Sequence, residues 1–440
     1  MKNLPKAFPG NFTFRNLKQF QQNPLQYMKE AVGECGSPVD LHLPMGDFVV
    51  LNDPEQFAEV FTKERTHYTK SRGYQEIAHV LGNGLLTAEG EEWHEQRRAL
   101  QPSFHKNELR KLLPSVWETA EAYLHGMTDG QSLRLDTEMS GLTMTILLNS
   151  LIKYQDQQMV AKMSEHIVFG QDFIVNRIRS PFKWPLWLPT TTNRRYHRMM
   201  KEANDLIQVC VDERKVDATS VEDLLSVLMD YYDPDEQFLE IRNQLLTFLV
   251  AGHETSAIAM TWTLHSLAHH PSIQDKVYQE VKGLRCLDDL DVMNFSNLTY
   301  TAQVIKESLR FYPPIWNIVR LVKKADEVGG VAIPAGKQVM LNIYLMHHNE
   351  HYWDNPDSFD PDRFQDYAAM KHKMQYLPFG GGGRFCIGNN FALYEIMILL
   401  VKFVQQYEII PQSPKDVPFN PLLTLRPKDA VEVELRKRVE

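Results

Sequence analysis

The ten residues from Phe379 to Gly388 constrain this chain more than any other stretch. They read Phe-Gly-Gly-Gly-Gly-Arg-Phe-Cys-Ile-Gly and lead directly into a helical pattern over residues 389–407. Four consecutive glycines allow the backbone to come close to a flat or bulky neighbour, because a Cβ atom at those positions would clash. Cys386 stands just before the predicted helix, where unpaired backbone N–H groups and the helix dipole favour a thiolate over a thiol. The stretch therefore predicts a loop that presents an anionic sulfur.

A buried structural cysteine behind a Gly-rich turn is the ordinary alternative for a lone Cys near glycines. Here five positions follow the order Phe-x-x-Gly-x-Arg-x-Cys-x-Gly, namely Phe379, Gly382, Arg384, Cys386 and Gly388. A thiolate in such a loop can serve as a sulfur ligand to haem iron, and the string resembles the haem-binding signature of the cytochrome P-450 superfamily. The resemblance implies that the motif binds haem b, with Cys386 on the iron, Phe379 shielding the sulfur and Arg384 neutralising a propionate.

Length, charge and cysteine pattern restrict the class of protein. The chain has 440 residues and no clear linker, so we expect a single domain over residues 1–440. The resemblance implies a mainly α fold, with a large helical lobe and a minor β lobe near residues 37–52 and 315–345. A net charge of -9 argues against a nucleic-acid partner. Four scattered cysteines form no disulfide framework, and residues 1–10 lack the apolar run of a signal peptide or anchor, which predicts a soluble, cytoplasmic protein of bacterial type.

Short apolar runs predict strands in the minor lobe. Val39–Leu43 and Phe48–Leu51 are joined through Pro-Met-Gly, which predicts a hairpin. Val331–Ile343 predicts a second strand-turn-strand unit around Pro334-Ala-Gly.

The proline-free stretch Glu236–His270 predicts one long helix, and the motif Ala-Gly-His-Glu-Thr begins in its middle at Ala251. Gly252 costs a helix about 1 kcal/mol relative to Ala, and a small residue there would let a flat ligand approach. Thr255 can hydrogen-bond to an upstream carbonyl. Mid-helix Gly and Thr also occur in ordinary cores, but the motif resembles the family's Ala-Gly-x-Glu-Thr. The resemblance places Ala251 and Gly252 over the oxygen-binding face of the haem and implies that Glu254 and Thr255 organise the waters that deliver protons.

Two further sites match the family pattern for haem propionates. Trp93 and Arg97 are four residues apart and share one face of a predicted helix. Such a pair can simply cover apolar surface, but the resemblance implies that both contact a propionate. Arg320 is a second propionate candidate by its place in the pattern.

Glu307 and Arg310 are three residues apart on another predicted helix, where an exposed ion pair would contribute little. They match the family's Glu-x-x-Arg, which implies a buried cluster completed by Arg363. The family commonly has Pro-Glu-Arg-Phe around that arginine, and Asp362 replaces the Glu here. The implied role is structural, fixing the loop that presents Cys386.

Residues 180–189 concentrate Phe182, Trp184 and Trp187 among prolines and basic residues. The basic residues on both sides are Arg177, Arg179, Lys183, Arg194, Arg195 and Arg198. One interpretation is a Pro-rich loop whose rings pack on its own domain. The other is a lid with peripheral contact to a membrane surface, where Trp and basic residues are favoured.

The expected substrate pocket is almost free of charge, which favours a lipophilic substrate over a polar one. Its predicted lining residues are Ile77, Leu81, Leu85, Phe169, Phe173, Phe248, Ile315, Trp316 and Leu423. The motif regions look most like those of bacterial carotenoid-ring and fatty-acid hydroxylases, so the expected substrate is a carotenoid, another terpenoid or a fatty acid.

The activity implied by the resemblance is monooxygenation, in which one atom of O₂ enters a C–H bond and the other leaves as water. No flavin- or iron–sulfur-binding segment is found, so NAD(P)H-derived electrons are expected through a separate ferredoxin or flavodoxin. A basic patch suits such an acidic partner, and it consists of Arg97, Arg98, Lys106, Arg110 and Lys111. The alternatives are a peroxide-driven fatty-acid peroxygenase, whose relatives typically lack the Glu-Thr pair, and a non-catalytic haem-binding protein.

Overall fold

A computed structural model describes residues 4–8, 19–20, 22–43, 46–154, 157–180, 183–216, 223–290, 297–366 and 370–438. The described chain is mostly helical, with a smaller β part, which confirms the predicted fold class. Its α-helices are α1 (Pro24–Cys35), α2 (Pro54–Thr62), α3 (Glu64–His67), α4 (Gly73–Leu81), α5 (Gly90–Leu100), α6 (Lys106–His125), α7 (Leu135–Leu147), α8 (Gln157–Arg179), α9 (Thr191–Val216), α10 (Leu224–Tyr231), α11 (Phe238–Ala268), α12 (Pro271–Val281), α13 (Thr299–Phe311), α14 (Ile343–His347) and α15 (Asn389–Gln406).

The strands form one larger sheet and three small ones. They are β1 (Lys6–Ala7), β2 (Val39–Leu43), β3 (Gly46–Leu51), β4 (Tyr68–Lys70), β5 (Gln131–Arg134), β6 (Ile318–Val322), β7 (Asp326–Val328), β8 (Val331–Ile333), β9 (Gln338–Leu341), β10 (Tyr407–Pro411), β11 (Phe419–Pro421), β12 (Leu425–Pro427) and β13 (Glu432–Lys437). The larger sheet has the order β1-β2-β3-β9-β6-β4, and the small sheets are β10-β13-β5, β11-β12 and β7-β8.

The β2–β3 pair is antiparallel with Val39 opposite Val50, as the hairpin prediction requires, although residues 44 and 45 of its turn lie outside the described residues. The predicted strand-turn-strand unit over Val331–Ile343 is present as β8, a turn and β9, but the two strands do not pair with each other. β8 instead turns back on β7 through Gly329 and Gly330, which both have positive φ. β9 lies between β3 and β6 in the larger sheet, where all four of its residues are buried.

Helix α11 runs through the middle of the helical lobe, where it packs along α7, α13 and α15. Its described side chains are buried on all sides over most of its length, which fits a helix whose composition is apolar or small almost throughout. The exception is the centre, where Ala251 is exposed although its neighbours one turn away in either direction are mostly buried. An exposed alanine in a central helix indicates an interior space beside it.

No helix among the described residues combines the length and the apolar character that crossing a bilayer requires.

Candidate functional site

The loop before α15 is held by its own backbone and by packing on α2. The Cys386 N–H donates to the Phe379 carbonyl at 3.1 Å. A Cβ atom on Gly381 would stand 2.7 Å from the Phe61 ring, and Gly382 has a φ of +68° that favours glycine. At least these two glycines are therefore required by close packing within the chain, whereas the sequence pattern alone suggested a close approach to a ligand.

The Cys386 side chain combines two properties that rarely coincide. Protein surrounds it closely enough that burial raises the pKa of its thiol, although the Gly388 N–H and the Arg97 charge oppose that rise. Yet Cys386 has exposed surface, and it borders a cavity of about 270 Å³ together with Arg97 and Phe385. An accessible thiol beside a cavity has the chemistry of an iron ligand, since the thiolate is the coordinating form.

The second exposed interior position is Ala251 on α11, where the resemblance places the other face of the haem. Thr255 is partly exposed one turn along, and its hydroxyl donates to the Ala251 carbonyl at 2.6 Å. Gly252 faces away from this space, because a Cβ there would stand 3.1 Å from Leu147 of α7. Gly252 therefore allows α7 to pack against α11. The thiol of Cys386 and the surface of α11 at Ala251 are thus both accessible, as a bound prosthetic group would require.

The predicted propionate arginines are placed near the Cys386 loop, but two of them already have carboxylate partners. Arg320 donates through Nε to Glu64 Oε1 at 2.7 Å, and Arg384 donates to Glu89 at 2.6 Å. The Arg384 guanidinium also lies 4.8 Å from the centre of the Trp93 ring. Glu64 is buried, and its Oε2 has no hydrogen-bond partner among the described residues. These carboxylates keep the arginines fixed without removing all of their donors.

Arg97 contacts the cysteine loop directly. Its Nη1 donates to the Phe385 carbonyl at 3.0 Å and its Nε to Gln101 at 3.1 Å. Burial lowers the pKa of Arg97, and the neighbouring Cys386 opposes that effect. The contact places a cation beside the sulfur.

Lys70 of β4 is a cation that the sequence analysis missed. Its Nζ donates to the Ala88 carbonyl and lies 3.4 Å from the Leu85 carbonyl. Burial, followed by the charge of Arg384, lowers the pKa of Lys70 to about 7. No local pattern marks this lysine, because its neighbours come from three separate parts of the chain. It is a further candidate for contact with an anionic group here.

Glu254 points away from Thr255 and is engaged by other elements. Its Oε1 accepts from the Thr424 hydroxyl at 2.7 Å and from Arg426, and its Oε2 accepts from Gln171 of α8. Glu254 is 6% exposed, and burial raises its pKa although Arg426 acts in the opposite direction. None of these three partners was predicted.

The structure brings the predicted cluster of Glu307, Arg310 and Arg363 together. Arg310 donates twice to Glu307, at 2.7 and 2.9 Å, and Arg363 donates to the same carboxylate at 3.1 Å. His347 extends the cluster, because its Nε2 accepts from the Leu377 N–H at 2.9 Å while its Nδ1 lies 3.1 Å from the Arg310 carbonyl. Removing one partner of a buried pair typically costs about 3–5 kcal/mol. The cluster thus ties α13 to the segment that leads into the cysteine loop.

The predicted pocket residues divide into two groups. Ile77, Ile315 and Leu423 are half-buried, and Leu81, Leu85 and Trp316 are buried, with the Trp316 indole N–H donating to the Leu422 carbonyl at 3.1 Å.

The three phenylalanines each pack against another ring or a guanidinium group. Phe173 stacks on Tyr196 of α9 at 4.6 Å between ring centres, and Phe169 lies beneath the Arg195 guanidinium at 4.4 Å. Phe248 stacks on Phe104 at 5.2 Å. The structure therefore uses these rings for helix packing. The opposite face of α8, which carries Gln171, is the one turned toward α11.

The segment between α8 and α9 exposes Trp184 and Trp187, which are 55% and 80% accessible, while Pro181 and Phe182 lie outside the described residues. Several of the flanking cations are already paired. Arg177 and Lys183 both donate to Glu76 of α4 at 2.6 Å, and Arg179 donates to the Pro421 carbonyl. The exposed aromatic surface of this segment therefore comes from Trp184 and Trp187, while much of the basic set is engaged within the protein.

The basic patch is exposed beside the cysteine loop. Arg98 ends α5, and Lys106, Arg110 and Lys111 lie in the first turns of α6. Lys111 pairs with Glu108 at 2.9 Å in an exposed contact. The 39% exposed ring of Phe385 and the side chain of Lys106 border the cavity that reaches Cys386.

Comparison with known proteins agrees with this geometry. The sequence profile of the cytochrome P450 family matches residues 5–433. The chain is 28% identical to cyclooctat-9-en-7-ol 5-monooxygenase of Streptomyces melanosporofaciens, over 89% of this chain and 86% of that protein. It is 27% identical to pentalenene oxygenase of Streptomyces avermitilis, over 91% and 90% of the two chains.

A crystal structure of the cytochrome P450DA heme domain superposes with a TM-score of 0.88 at 25% identity, covering 100% of this chain and 98% of that one. The family match spans the accessible cysteine, the central helix and the buried ion cluster. The chain therefore belongs to the cytochrome P450 family of haem-thiolate monooxygenases.

Proposed function

We propose that this protein inserts one oxygen atom of O₂ into a C–H bond of a lipophilic terpenoid, carotenoid or fatty acid, using electrons from a separate ferredoxin or flavodoxin. The observation that carries the proposal is an accessible thiol at Cys386 together with an accessible Ala251–Thr255 turn on α11. Cys386 would supply a sulfur ligand, and Thr255 would supply a hydroxyl that can bind water. It supports oxygen chemistry better than simple haem storage.

Haem b would supply the oxygen activation when bound, and the Cys386 thiolate would hold its iron. Arg97, Arg320 and Arg384 would hold the propionates, because a guanidinium matches a carboxylate in charge and shape. Trp93 and Phe379 would line the same site. Thr255 would pass protons from water to the oxygen side, and Glu254 would replenish them. The Glu307 cluster would keep the cysteine loop in place.

For the electron donor, we propose docking of an acidic protein at the basic patch. Replacing Arg110 and Lys111 with glutamate is expected to slow reduction by an acidic ferredoxin several-fold, because complementary charge raises association rates. Added salt should slow the wild-type reaction, since exposed charges are screened over about 8–10 Å at 0.1–0.15 M ionic strength. Stopped-flow reduction under CO measures both effects.

A matched control reverses two exposed lysines after β6, Lys323 and Lys324, and changes the net charge by the same amount. Equal slowing in the two double variants would leave only a net-charge effect and would remove the basic patch as the docking site.

The proposed substrate class is supported by the half-buried apolar residues Ile77, Ile315 and Leu423, and by relatives whose names denote terpenoid oxidation. Each buried apolar side chain contributes up to about 1.5–3 kcal/mol, which favours an extended lipid. Titration with long-chain fatty acids, carotenoids and cyclic terpenoids is expected to shift the Soret band to the blue for at least one class. Turnover under ¹⁸O₂ should then place one labelled oxygen in the product.

A response confined to small polar compounds would contradict the substrate class and leave the haem assignment intact.

Peripheral membrane contact through residues 180–189 is part of the same proposal, supported by the exposed Trp184 and Trp187. Vesicle co-sedimentation tests it, and equal binding of wild type and Trp187→Ala would remove that role.

A further inference from the structure

Glu254 is enclosed by polar groups from two other elements. Thr424 follows the turn of the β11–β12 hairpin and donates to Oε1 at 2.7 Å. Arg426 of β12 donates to the same oxygen, and Gln171 of α8 donates to Oε2. Arg426 and Gln171 also bond to each other, so the four side chains form a closed network.

This network occupies both oxygens of the carboxylate. Glu254 is 6% exposed, whereas Thr255, the next residue, is partly accessible beside Ala251. A general acid or base must come within hydrogen-bond reach of the proton that it transfers, directly or through one water. In the observed position Glu254 is committed to Arg426, Thr424 and Gln171. Proton transfer toward Thr255 therefore requires that it leave them.

The neighbouring histidine does not substitute for it. Burial lowers the pKa of His253 to about 4, and its Nε2 lies 2.9 Å from the Ser140 hydroxyl. His253 is therefore neutral near pH 7 and held against α7, so it cannot act as a general acid there.

The partners of Glu254 lie on elements that a substrate would contact. Leu423, the half-buried residue in the hairpin turn, is adjacent to Thr424. Arg179, at the end of α8, donates to the Pro421 carbonyl and ties that helix to the same hairpin. Gln171 also borders a small, mostly apolar cavity of about 20 Å³ with Leu81 and Val250, so its side chain is not packed tightly on every side. A shift of the hairpin or of α8 would separate Glu254 from its partners.

We propose that Gln171, Thr424 and Arg426 form a substrate-sensitive latch that holds Glu254 out of the proton path until substrate displaces the hairpin turn. The proposal rests on the proposed function and deepens it. The three are positioning residues, since they act through Glu254. Without substrate, two electrons from the partner and two protons convert O₂ to H₂O₂, and a closed latch limits the supply of those protons.

A double-mutant cycle in the haem-loaded enzyme tests the latch. Arg426→Gln frees Glu254 and is expected to raise substrate-free H₂O₂ release per enzyme several-fold with a surrogate ferredoxin and reductase. The rise should disappear in Arg426→Gln/Glu254→Gln, because the released carboxylate is then missing. Thr424→Val should give a smaller rise in H₂O₂ release, and it replaces Arg426→Gln in the test if the arginine variant is unstable. Arg436→Gln, an exposed arginine of β13, is the control and should change nothing.

Thermal unfolding supplies a readout apart from turnover. Arg426→Gln should lower Tm by about 5 °C, since it leaves a buried carboxylate unpaired, and adding Glu254→Gln should restore most of it. If Tm falls in Arg426→Gln and recovers in the double variant while peroxide release stays unchanged, the latch is overturned. Arg426 and Glu254 would then be a structural ion pair in an intact monooxygenase. Wild-type protein that lacks the thiolate-type CO spectrum would instead overturn the proposed function and the latch with it.

Discussion

Replacing Cys386 with serine is expected to abolish the red-shifted Soret band of the reduced CO complex. That shift requires an anionic sulfur opposite the CO, and a serine hydroxyl ionises far less readily than a thiol. Burial raises the pKa of the Cys386 thiol. A bound cation is therefore needed to hold the thiolate, since a coordinated thiol is deprotonated by its metal. Compared with wild type, Cys386→Ser should lose the band completely when the dithionite-reduced protein is measured under CO.

Cys210 and Cys286 provide the controls. Cys210 is buried with its sulfur 3.9 Å from that of Met159, and Cys286 is exposed. Serine at either position should leave the band in place, and haem content measured by the pyridine haemochrome keeps loss of haem apart from loss of the sulfur ligand. A band that persists in Cys386→Ser would exclude this residue as the ligand.

The sequence predicts contacts between residues that are close together along the chain better than contacts between distant ones. The order of Phe379, Gly382 and Cys386 is local, and the pair Glu307 and Arg310 needs only one turn of helix. The structure shows Glu307 and Arg310 paired as predicted. Arg363 joined the cluster only through the family pattern, because its contact spans 56 residues. Long-range contacts are set by the fold, and periodicity carries no information about them.

The partners of Glu254 and of Arg320 illustrate the limit. Arg426 bonds to Gln171 across 255 residues, and Arg320 to Glu64 across 256. Periodicity also cannot say which face of a helix meets which neighbour. Phe173, a predicted pocket residue, stacks on Tyr196, and the opposite face of α8 is turned to α11 through Gln171. Gly252 was predicted to make room for a ligand, and it makes room for Leu147.

Replacing Thr255 with alanine is expected to keep haem and substrate binding while diverting electrons to peroxide or water. Its hydroxyl donates to the Ala251 carbonyl at 2.6 Å beside the accessible surface of the helix. A positioned proton donor contributes about 100-fold or more to a proton-transfer step. Product formed per NADPH should therefore fall several-fold, and H₂O₂ measured in the same assay should account for much of the difference.

Two other threonines of α11 distinguish this role from ordinary helix chemistry. Thr261 and Thr263 also donate to the carbonyl four residues earlier, at 2.8 and 2.7 Å, but both are fully buried. The hydrogen bond to the carbonyl four residues earlier is therefore common to threonines of this helix. Thr255 differs from Thr261 and Thr263 in that its side chain is partly accessible. Thr261→Ala should lower stability without altering the product formed per NADPH. Thr255→Ser keeps the hydroxyl, so its product per NADPH should be close to that of wild type. If Thr255→Ala and Thr261→Ala gave the same yield as wild type, Thr255 would be a structural residue of α11 and proton delivery would have to be assigned elsewhere.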